Sequence, residues 1–451
     1  MNVYDSDIIR SDLSSLGYTW TDNIKKADLV IVNTCTIREK AEQKAFSFLG
    51  RLAEIKKNKP SLMIGLGGCL AQQEAGNILK RAPYVDIIFG THVLGHLPEL
   101  ITRAETTGKP IVHVDEAKDA GSEFTIHGGR VPVSDFVTIM RGCDNYCTYC
   151  VVPYVRGRET SRLPEDILHE INVRVKNGMK EVTLLGQNVN SYGKKEGLVS
   201  FSRLLAMVND IDGLKRIRFT TSHPKDLSLN LINAFSNLEH LCNHIHLPVQ
   251  SGSNRMLKKM NRNYTREDYL NKIELLRGAK PDIAITTDMI VGFPGETETD
   301  FKDTLDLMKA VRFDGLFAFA YSDRELAPAA SFSNKLGDDV KRHRLLALLD
   351  LQEKYTRKKN TTFVDKVVAV LVEGPSRKSR THESVSLTRH QQWSGRTSEN
   401  KIVNFTLDRS DLSCNDDLKG KLIHIKIEKA FSNSLKGTPV IDGKGEITYA
   451  A

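Results

Sequence analysis

Cysteine is scarce in this chain. There are seven in 451 residues, an odd number spread too thinly for a disulfide scaffold. The expectation is a reducing compartment in which thiols are free to bind metal. Long apolar runs are also missing: none reaches the roughly 18 residues of a membrane span. The start, MNVYDSDIIR, has no basic stretch leading into an apolar one, so no signal peptide is expected. A cytoplasmic protein with no membrane partner follows. Neither repeats nor low-complexity segments occur. No single sign of charge dominates either, with 64 Lys+Arg against 56 Asp+Glu, a net charge of +8. That surplus admits a nucleic-acid partner without requiring one. The basic clusters KKMNRNYTR (258–266), RKK (357–359) and RKSR (377–380) read first as solvated faces.

The length excludes one compact core, and two or three domains are expected. In residues 1–112, ADLVIVNTC, SLMIGLGGC and VDIIFG read as buried strands, with REKAEQKAFSFLGRLAEIKK as an amphipathic helix between the first two. This pattern predicts a small parallel α/β domain. Cys35 and Cys69 end two of its strands, where such sheets hold ligands. Residues 111 to about 134 read as a polar connection. A second domain, 133–362, carries six candidate strands: SDFVTIM, EVTLLG, RIRFTT, HIHLPV, AITTDMIVG and GLFAFAY. Interleaved helical patterns predict an incomplete (β/α)6 barrel of the TIM type, with chemistry at the C-terminal strand ends. Gln187 and Asn188, Ser222 and His223, Gln250 and Ser251, and Asp288 fall at those ends. A helical segment leads to 363–440, where KVVAVLVEG, SLTRHQQW, KIVNFTL and KLIHIKIEKA predict a small β-barrel. The fold class is α/β throughout the first two domains.

RGCDNYCTYC places Cys143, Cys147 and Cys150 in two tight steps, with no fourth Cys or His in the next fifteen residues. Zinc and iron–sulfur both use thiolates. A zinc ribbon supplies a second CxxC pair nearby, and none is present. A zinc knuckle or three unrelated thiols are the alternatives. Three cysteines on a [4Fe–4S] cluster leave one iron open to a small molecule. The C-x3-C-x2-C spacing, with Tyr149 before the last Cys, resembles the radical S-adenosylmethionine (SAM) superfamily. That resemblance implies SAM on the open iron, an electron that cleaves its sulfonium, and a 5′-deoxyadenosyl radical. Tyr149, Gln187, Asn188, Gln250 and Ser251 are then the expected SAM contacts. Gly292, Gly295 and Glu296 in MIVGFPGETE resemble a family turn beside the adenine, although GFPGE alone is ordinarily only a turn.

Two isolated buried cysteines are ordinarily core fillers. Their surroundings change that reading. MNVYDSD, NTCTIREKAEQK, GGCLAQQE, CTYCVVPYVRGRETSR, LLGQNVNSYG, HLPVQSGS and VGFPGETE together resemble the methylthiotransferase family of radical SAM enzymes. VLVEGPSRKS, SGRT and NSLKG resemble its C-terminal TRAM domain. REKAEQK and GQNVNSYG are closest to the MiaB type, the tRNA-2-methylthio-N6-dimethylallyladenosine synthases. The resemblance implies two [4Fe–4S] clusters and two uses of SAM: one methylates a cluster-borne sulfur, the other makes the radical. It implies methylthiolation at C2 of N6-isopentenyladenosine at adenosine-37 of tRNA, on the 3′ side of the anticodon. Cys143, Cys147 and Cys150 would bind the radical cluster, and Cys35 and Cys69 the auxiliary one; Cys242 and Cys414 match no ligand position. A tRNA anticodon stem-loop, an electron donor such as flavodoxin or ferredoxin, and a monomeric state are the implied partners and form.

Arg377, Lys378, Arg380 and Arg396 are candidate phosphate contacts, with Trp393 for base stacking; the alternative is ordinary surface charge. Residues 361–451 hold 14 Lys+Arg against 11 Asp+Glu, so readout of splayed loop bases is expected to carry specificity. Two departures from the family stand out. YSDRELAPAA replaces a loop rich in proline and glycine. The family reads Gly-Cys-Gln immediately before MNVYDSD, and this sequence begins at Met1. The auxiliary cluster's third ligand is therefore not in it, and that cluster is expected to be incomplete. Competing expectations are methylthiolation of threonylcarbamoyl-adenosine in tRNA or of a ribosomal-protein aspartate, and an RNA-binding protein without sulfur-transfer activity.

Overall fold

The computed structural model describes residues 1–34, 39–114, 131–376, 390–408, 418–443 and 447–450. Cys35, Arg377, Lys378, Arg380 and Cys414 lie outside the described residues. The chain packs as two compact units. One comprises Met1–Gly129, Met140–Ser161 and Ser322–Ala330; the other comprises Arg130–Ile139, Arg162–Tyr321 and Ser331–Ala451.

The first unit opens with helix α1 (Asn2–Ser15), followed by β1 (Leu29–Thr34), α2 (Glu39–Asn58), β2 (Met63–Gly68), α3 (Cys69–Arg81), β3 (Ile87–Phe89), α4 (Leu97–Thr107) and β4 (Ile111–His113). The four strands form a parallel sheet in the order β1-β2-β3-β4. Apolar cores on two sides, one built on Leu49, Leu52 and Ile64 and the other on Ile9, Phe89 and Leu97, explain the near-continuous apolar runs of its strands. Gly67 is required by close packing: a Cβ there would lie 2.3 Å from the Phe89 ring. Helix α1 and the three-residue β4, in the stretch read as a connection, were not foreseen.

The chain continues through β5 (Ser134–Thr138) and the short β6 (Met140–Arg141), α5 (Val152–Val155) and β7 (Thr160–Ser161). The last three belong to the first unit. Next come α6 (Pro164–Lys176), β8 (Glu181–Leu185), α7 (Phe201–Asn209), β9 (Arg216–Phe219), α8 (Leu229–Asn237), β10 (His244–His246), α9 (Asn254–Lys259), α10 (Arg266–Ala279), β11 (Ala284–Val291), α11 (Glu298–Val311), β12 (Gly315–Ala320) and α12 (Asp338–Thr361). In the second unit β5-β8-β9 and β10-β11-β12 are parallel throughout, and an Ile217–Leu241 bridge joins the two sets. This is the expected open six-stranded βα array.

The C-terminal strands β13 (Val367–Pro375), β14 (His390–Arg396), β15 (Ile402–Asp408), β16 (Leu422–Ala430) and β17 (Leu435–Pro439) close a barrel in the order β13-β14-β15-β17-β16. The fifth strand was not foreseen. Trp393 is corrected here. It is 5% exposed and packs with Val372, Phe405 and Ile425 in the barrel core, so its ring is no stacking surface. The strand period explains this: Trp393 and Gly395 point inward, while Arg396 points outward to Glu373 at 2.9 Å. Two buried arginines of β9 join the barrel to the βα array. Arg216 donates to the Arg396 and Ala369 carbonyls, and Arg218 to those of Thr397 and Ser398. No helix among the described residues is long and apolar enough to cross a membrane.

Candidate functional site

In the first unit, β6 and β7 pair antiparallel, Met140 with Ser161 and Arg141 with Thr160, and so close a loop around the three cysteines. Gly142 sits at φ +74°, and a Cβ there would lie 2.0 Å from the Arg158 carbonyl oxygen. That space lets the Cys143 N–H donate to the Gly157 carbonyl at 3.2 Å. Tyr146 adopts a left-handed φ of +47°, unusual for a residue with a side chain. The Cys150 N–H then returns to the Cys147 carbonyl at 2.9 Å. Pro153 in the first turn of α5 ends the loop. Cys147 is buried, Cys143 and Cys150 are half-buried, and none of the three forms a disulfide. Burial pushes the Cys143 thiol up, opposed by a hydrogen bond from Asn145 Nδ2 at 3.4 Å.

This donor set fits a cluster better than an ion. Three sulfurs on one short loop, with no fourth Cys or His in the next fifteen residues, suit a cubane that keeps one corner open. Among the described residues no three Cys, His, Asp or Glu side chains converge on a single ion, as a zinc site with bonds of about 2.3 Å to sulfur demands.

Cys69 is the first residue of α3, after Gly68 at φ +91°, and is 3% exposed. A helix N-terminus favours a thiolate. Thr34, the last residue of β1 before Cys35, stands opposite Gly68 in register. Cys69 packs against Val151 and Val155 of the cysteine-loop segment and against Ala327. The departure YSDRELAPAA is thereby given a place: Ala327 joins this cluster, and the Ala329 N–H donates to the Thr148 carbonyl at 2.8 Å. Arg156, just past α5, lies close enough to Cys69 for the sulfur to help hold its guanidinium charged. Its Nη2 also donates to Asp5 Oδ2 at 2.9 Å and Asn2 Oδ1 at 3.0 Å. Burial opposes its charge, but Asp5 and Cys69 outweigh burial and hold it protonated. Asp5 and Arg156 were missed in the sequence, where 151 positions separate them.

In the second unit the polar strand ends are present as expected. Asn188 Nδ2 donates to Asp226 at 2.8 Å, and Asn190 Nδ2 to the His223 carbonyl at 3.3 Å. His223 Nδ1 accepts from the Lys225 N–H at 3.2 Å, which places its proton on Nε2. Burial first, then Arg262, pushes its pKa far down, so the ring is neutral. Asn188 Oδ1, Asn190 Oδ1, Ser222 Oγ and His223 Nε2 are buried and have no hydrogen-bond partner. Four such atoms at two adjacent strand ends fit a polar cofactor.

Gln250 adopts φ +72° and bridges to Met289, and Ser251 is fully buried beside Thr304. Gly292 (φ +71°) and Gly295 (φ +77°) shape the turn after β11. Glu296 is committed to holding that turn: its Oε2 accepts from the Gly292 N–H and from Arg344 Nη1, each at 2.7 Å. Sequence reasoning missed Asp300, which joins both loops. It accepts from Ser253 Oγ at 2.6 Å, from Arg255, and from the Thr297 N–H at 2.8 Å. The signal was available in TETD (297–300), a capping box at the start of α11. Tyr149 and Gln187 are half-buried.

Comparison with known proteins adds three findings. A model of the radical SAM superfamily matches residues 137–308, and one of the uncharacterized protein family UPF0004 matches residues 1–90. Proteins named tRNA-2-methylthio-N(6)-dimethylallyladenosine synthase are similar along nearly the whole chain. The one from Desulfosudis oleivorans is 53% identical over 98% of this chain and 94% of its own. That from Syntrophus aciditrophicus is 50% identical over 97% and 92%, and that from Geobacter sulfurreducens 47% over 99% and 96%. Among solved structures, the radical SAM methyltransferase TsrM of Kitasatospora setae has a similar fold. Its TM-score is 0.56 at 15% identity, over 72% of each chain.

Proposed function

The chain belongs to the tRNA-2-methylthio-N(6)-dimethylallyladenosine synthases, and from that premise we propose that it methylthiolates C2 of N6-isopentenyladenosine at adenosine-37 of tRNA. It is a radical SAM methylthiotransferase that uses a [4Fe–4S] cluster and SAM. When bound, that cluster supplies the electron that cleaves SAM and yields the radical able to take hydrogen from C2. The observation that carries this reading is the three-thiol loop with no fourth ligand, in a chain half identical to these synthases from end to end.

Cys143, Cys147 and Cys150 hold the radical cluster as thiolates, releasing protons as they bind. Neutral His223 offers a donor at Nε2, and Asn188, Asn190 and Ser222 offer oxygens; these orient SAM together with Tyr149, Gln187, Gln250 and Ser251. Gly292 and Gly295 let the backbone approach the adenine, and Glu296 with Arg344 keeps that turn rigid. Cys69, with Cys35, holds a second cluster that carries the sulfur. The segments 1–112, 133–362 and 363–440 act as a methylthiotransferase domain, a radical SAM domain and a TRAM barrel. In the barrel Arg396, with Arg377, Lys378 and Arg380, meets tRNA phosphates. Flavodoxin or ferredoxin supplies electrons to a monomer in the cytoplasm.

The test is mass spectrometry of bulk tRNA nucleosides from a strain in which the gene for this protein is deleted. The expected result is that 2-methylthio-N6-isopentenyladenosine disappears while N6-isopentenyladenosine accumulates. Unchanged tRNA with an altered ribosomal protein would overturn the proposal.

A further inference from the structure

The cysteine loop is bracketed by two arginines, and both converge on one carboxylate. Arg141 lies two residues before Cys143, and its Nη2 stands 3.7 Å from Asp5 Oδ1. Arg156 lies six residues after Cys150, and its Nη2 stands 2.9 Å from Asp5 Oδ2. Asp5 is 2% exposed and Arg156 is 6% exposed, so neither is a solvated surface charge. A buried carboxylate stays charged only where cations are fixed against it. Arg156 makes the hydrogen bond to Asp5, and Arg141 is the more distant cation, with Asp5 Oδ1 making no hydrogen bond.

The same arginine reaches the other cysteine. Val151 and Val155, on the segment that leads into Arg156, pack on Cys69, and Cys69 helps hold the Arg156 guanidinium charged. A second tie runs in parallel. Gln72, one turn along α3 from Cys69, accepts from the Thr91 N–H at 3.1 Å, and Thr91 Oγ1 donates to the Val155 carbonyl at 2.7 Å. Asn33, two residues before Cys35, donates to the Asn2 carbonyl at 3.0 Å, and Asn2 Oδ1 accepts from Arg156. Of these ties, the one made through charge passes through α1 and Arg156.

We propose that Asp5, gripped by Arg141 and Arg156, is a positioning residue that sets the separation between the radical-cluster loop and the Cys69 site and so couples SAM cleavage to sulfur transfer. This rests on the reading of Cys69 as an auxiliary-cluster ligand. Asp5 and Arg156 touch neither the reacting carbon nor SAM in this assignment. Their loss leaves radical formation intact and misplaces the sulfur relative to the radical, so that SAM is spent without product.

Asp5→Asn keeps the shape and removes the charge. Arg156→Lys keeps the charge but cannot serve Asp5, Asn2 and Cys69 together. Both are made in the full chain, reconstituted anaerobically. Methylthio product per 5′-deoxyadenosine is measured alongside iron content and amide hydrogen exchange of residues 151–157. Expected is a fall of about 10-fold in product per 5′-deoxyadenosine, the scale of losses when a group supporting a metal ligand is removed. SAM cleavage stays within about two-fold, and exchange at 151–157 is faster as the local opening becomes easier. Cys69→Ala separates the two claims. Retained product there overturns the reading on which the inference rests. Lost product there, with parental coupling and parental exchange in both Asp5→Asn and Arg156→Lys, overturns the positioning role alone.

Discussion

At the scale of single residues the chemistry of the cysteine loop rests on thiols and on one backbone position. Cys147→Ala removes one of the three proposed ligands, so iron content should fall by about one cluster and 5′-deoxyadenosine formation to background after anaerobic reconstitution. Parental SAM cleavage in that variant would remove the assignment. Gly142→Ala should act through geometry alone, because its Cβ would meet the Arg158 carbonyl in a left-handed backbone. A loss of about 1–3 kcal/mol of local stability is expected, seen as reduced iron uptake with all three thiols still titratable. The three loop cysteines were legible in the sequence because their spacing is local. Asp5 and Arg156 were not, because a contact across 151 residues leaves no periodicity to read. Trp393 was misread for a related reason: an aromatic beside basic residues fits an RNA surface, but strand alternation turns it into the core.

At the scale of elements, the strand order followed from apolar runs, while the joins between loops depended on buried polar atoms. Asp300 links QSGS (250–253) to the start of α11. Burial would raise its pKa, but hydrogen bonds from Arg255, Ser253 and Thr297 hold it well below the usual carboxylate range. A depressed folded-state pKa contributes stability that is complete above the unfolded value of about 3.9 and is lost as pH falls below it. Asp300→Asn should therefore cost about 2 kcal/mol near pH 7, the scale of charge-assisted hydrogen bonds. The deficit should shrink as pH drops toward 3, because the unfolded-state carboxylate takes up a proton there while the folded one is still ionised. Denaturant melts at both pH values check this; an equal deficit at each would show that charge is not what Asp300 contributes. The capping box around it was visible in TETD, but its hydrogen bond to Ser253, 47 residues earlier, was not.

At the scale of the molecule, changes in hydrophobic period pointed to a βα array and a small barrel, and both appear where the pattern placed them. What joins them was hidden, because RIRF reads as a strand whether or not its arginines face another domain. Arg218 donates to Glu181 at 2.9 Å and to the Ser398 and Thr397 carbonyls at 2.9 and 2.7 Å. Arg218→Met would leave the Glu181 carboxylate and two carbonyls buried without their donor. Breaking a buried pair from one side costs about 3–5 kcal/mol, so a clear drop in calorimetric melting temperature is expected. The barrel would also lose its fixed bearing on the βα array. Filter binding of tRNA over a salt series should then show weaker binding with an unchanged salt slope, because the slope counts phosphate contacts and Arg218 makes none. SAM cleavage at saturating SAM should persist. A shallower slope would mean that Arg218 itself meets phosphate. Unchanged affinity in a destabilised protein would mean that tRNA does not depend on how the barrel is held.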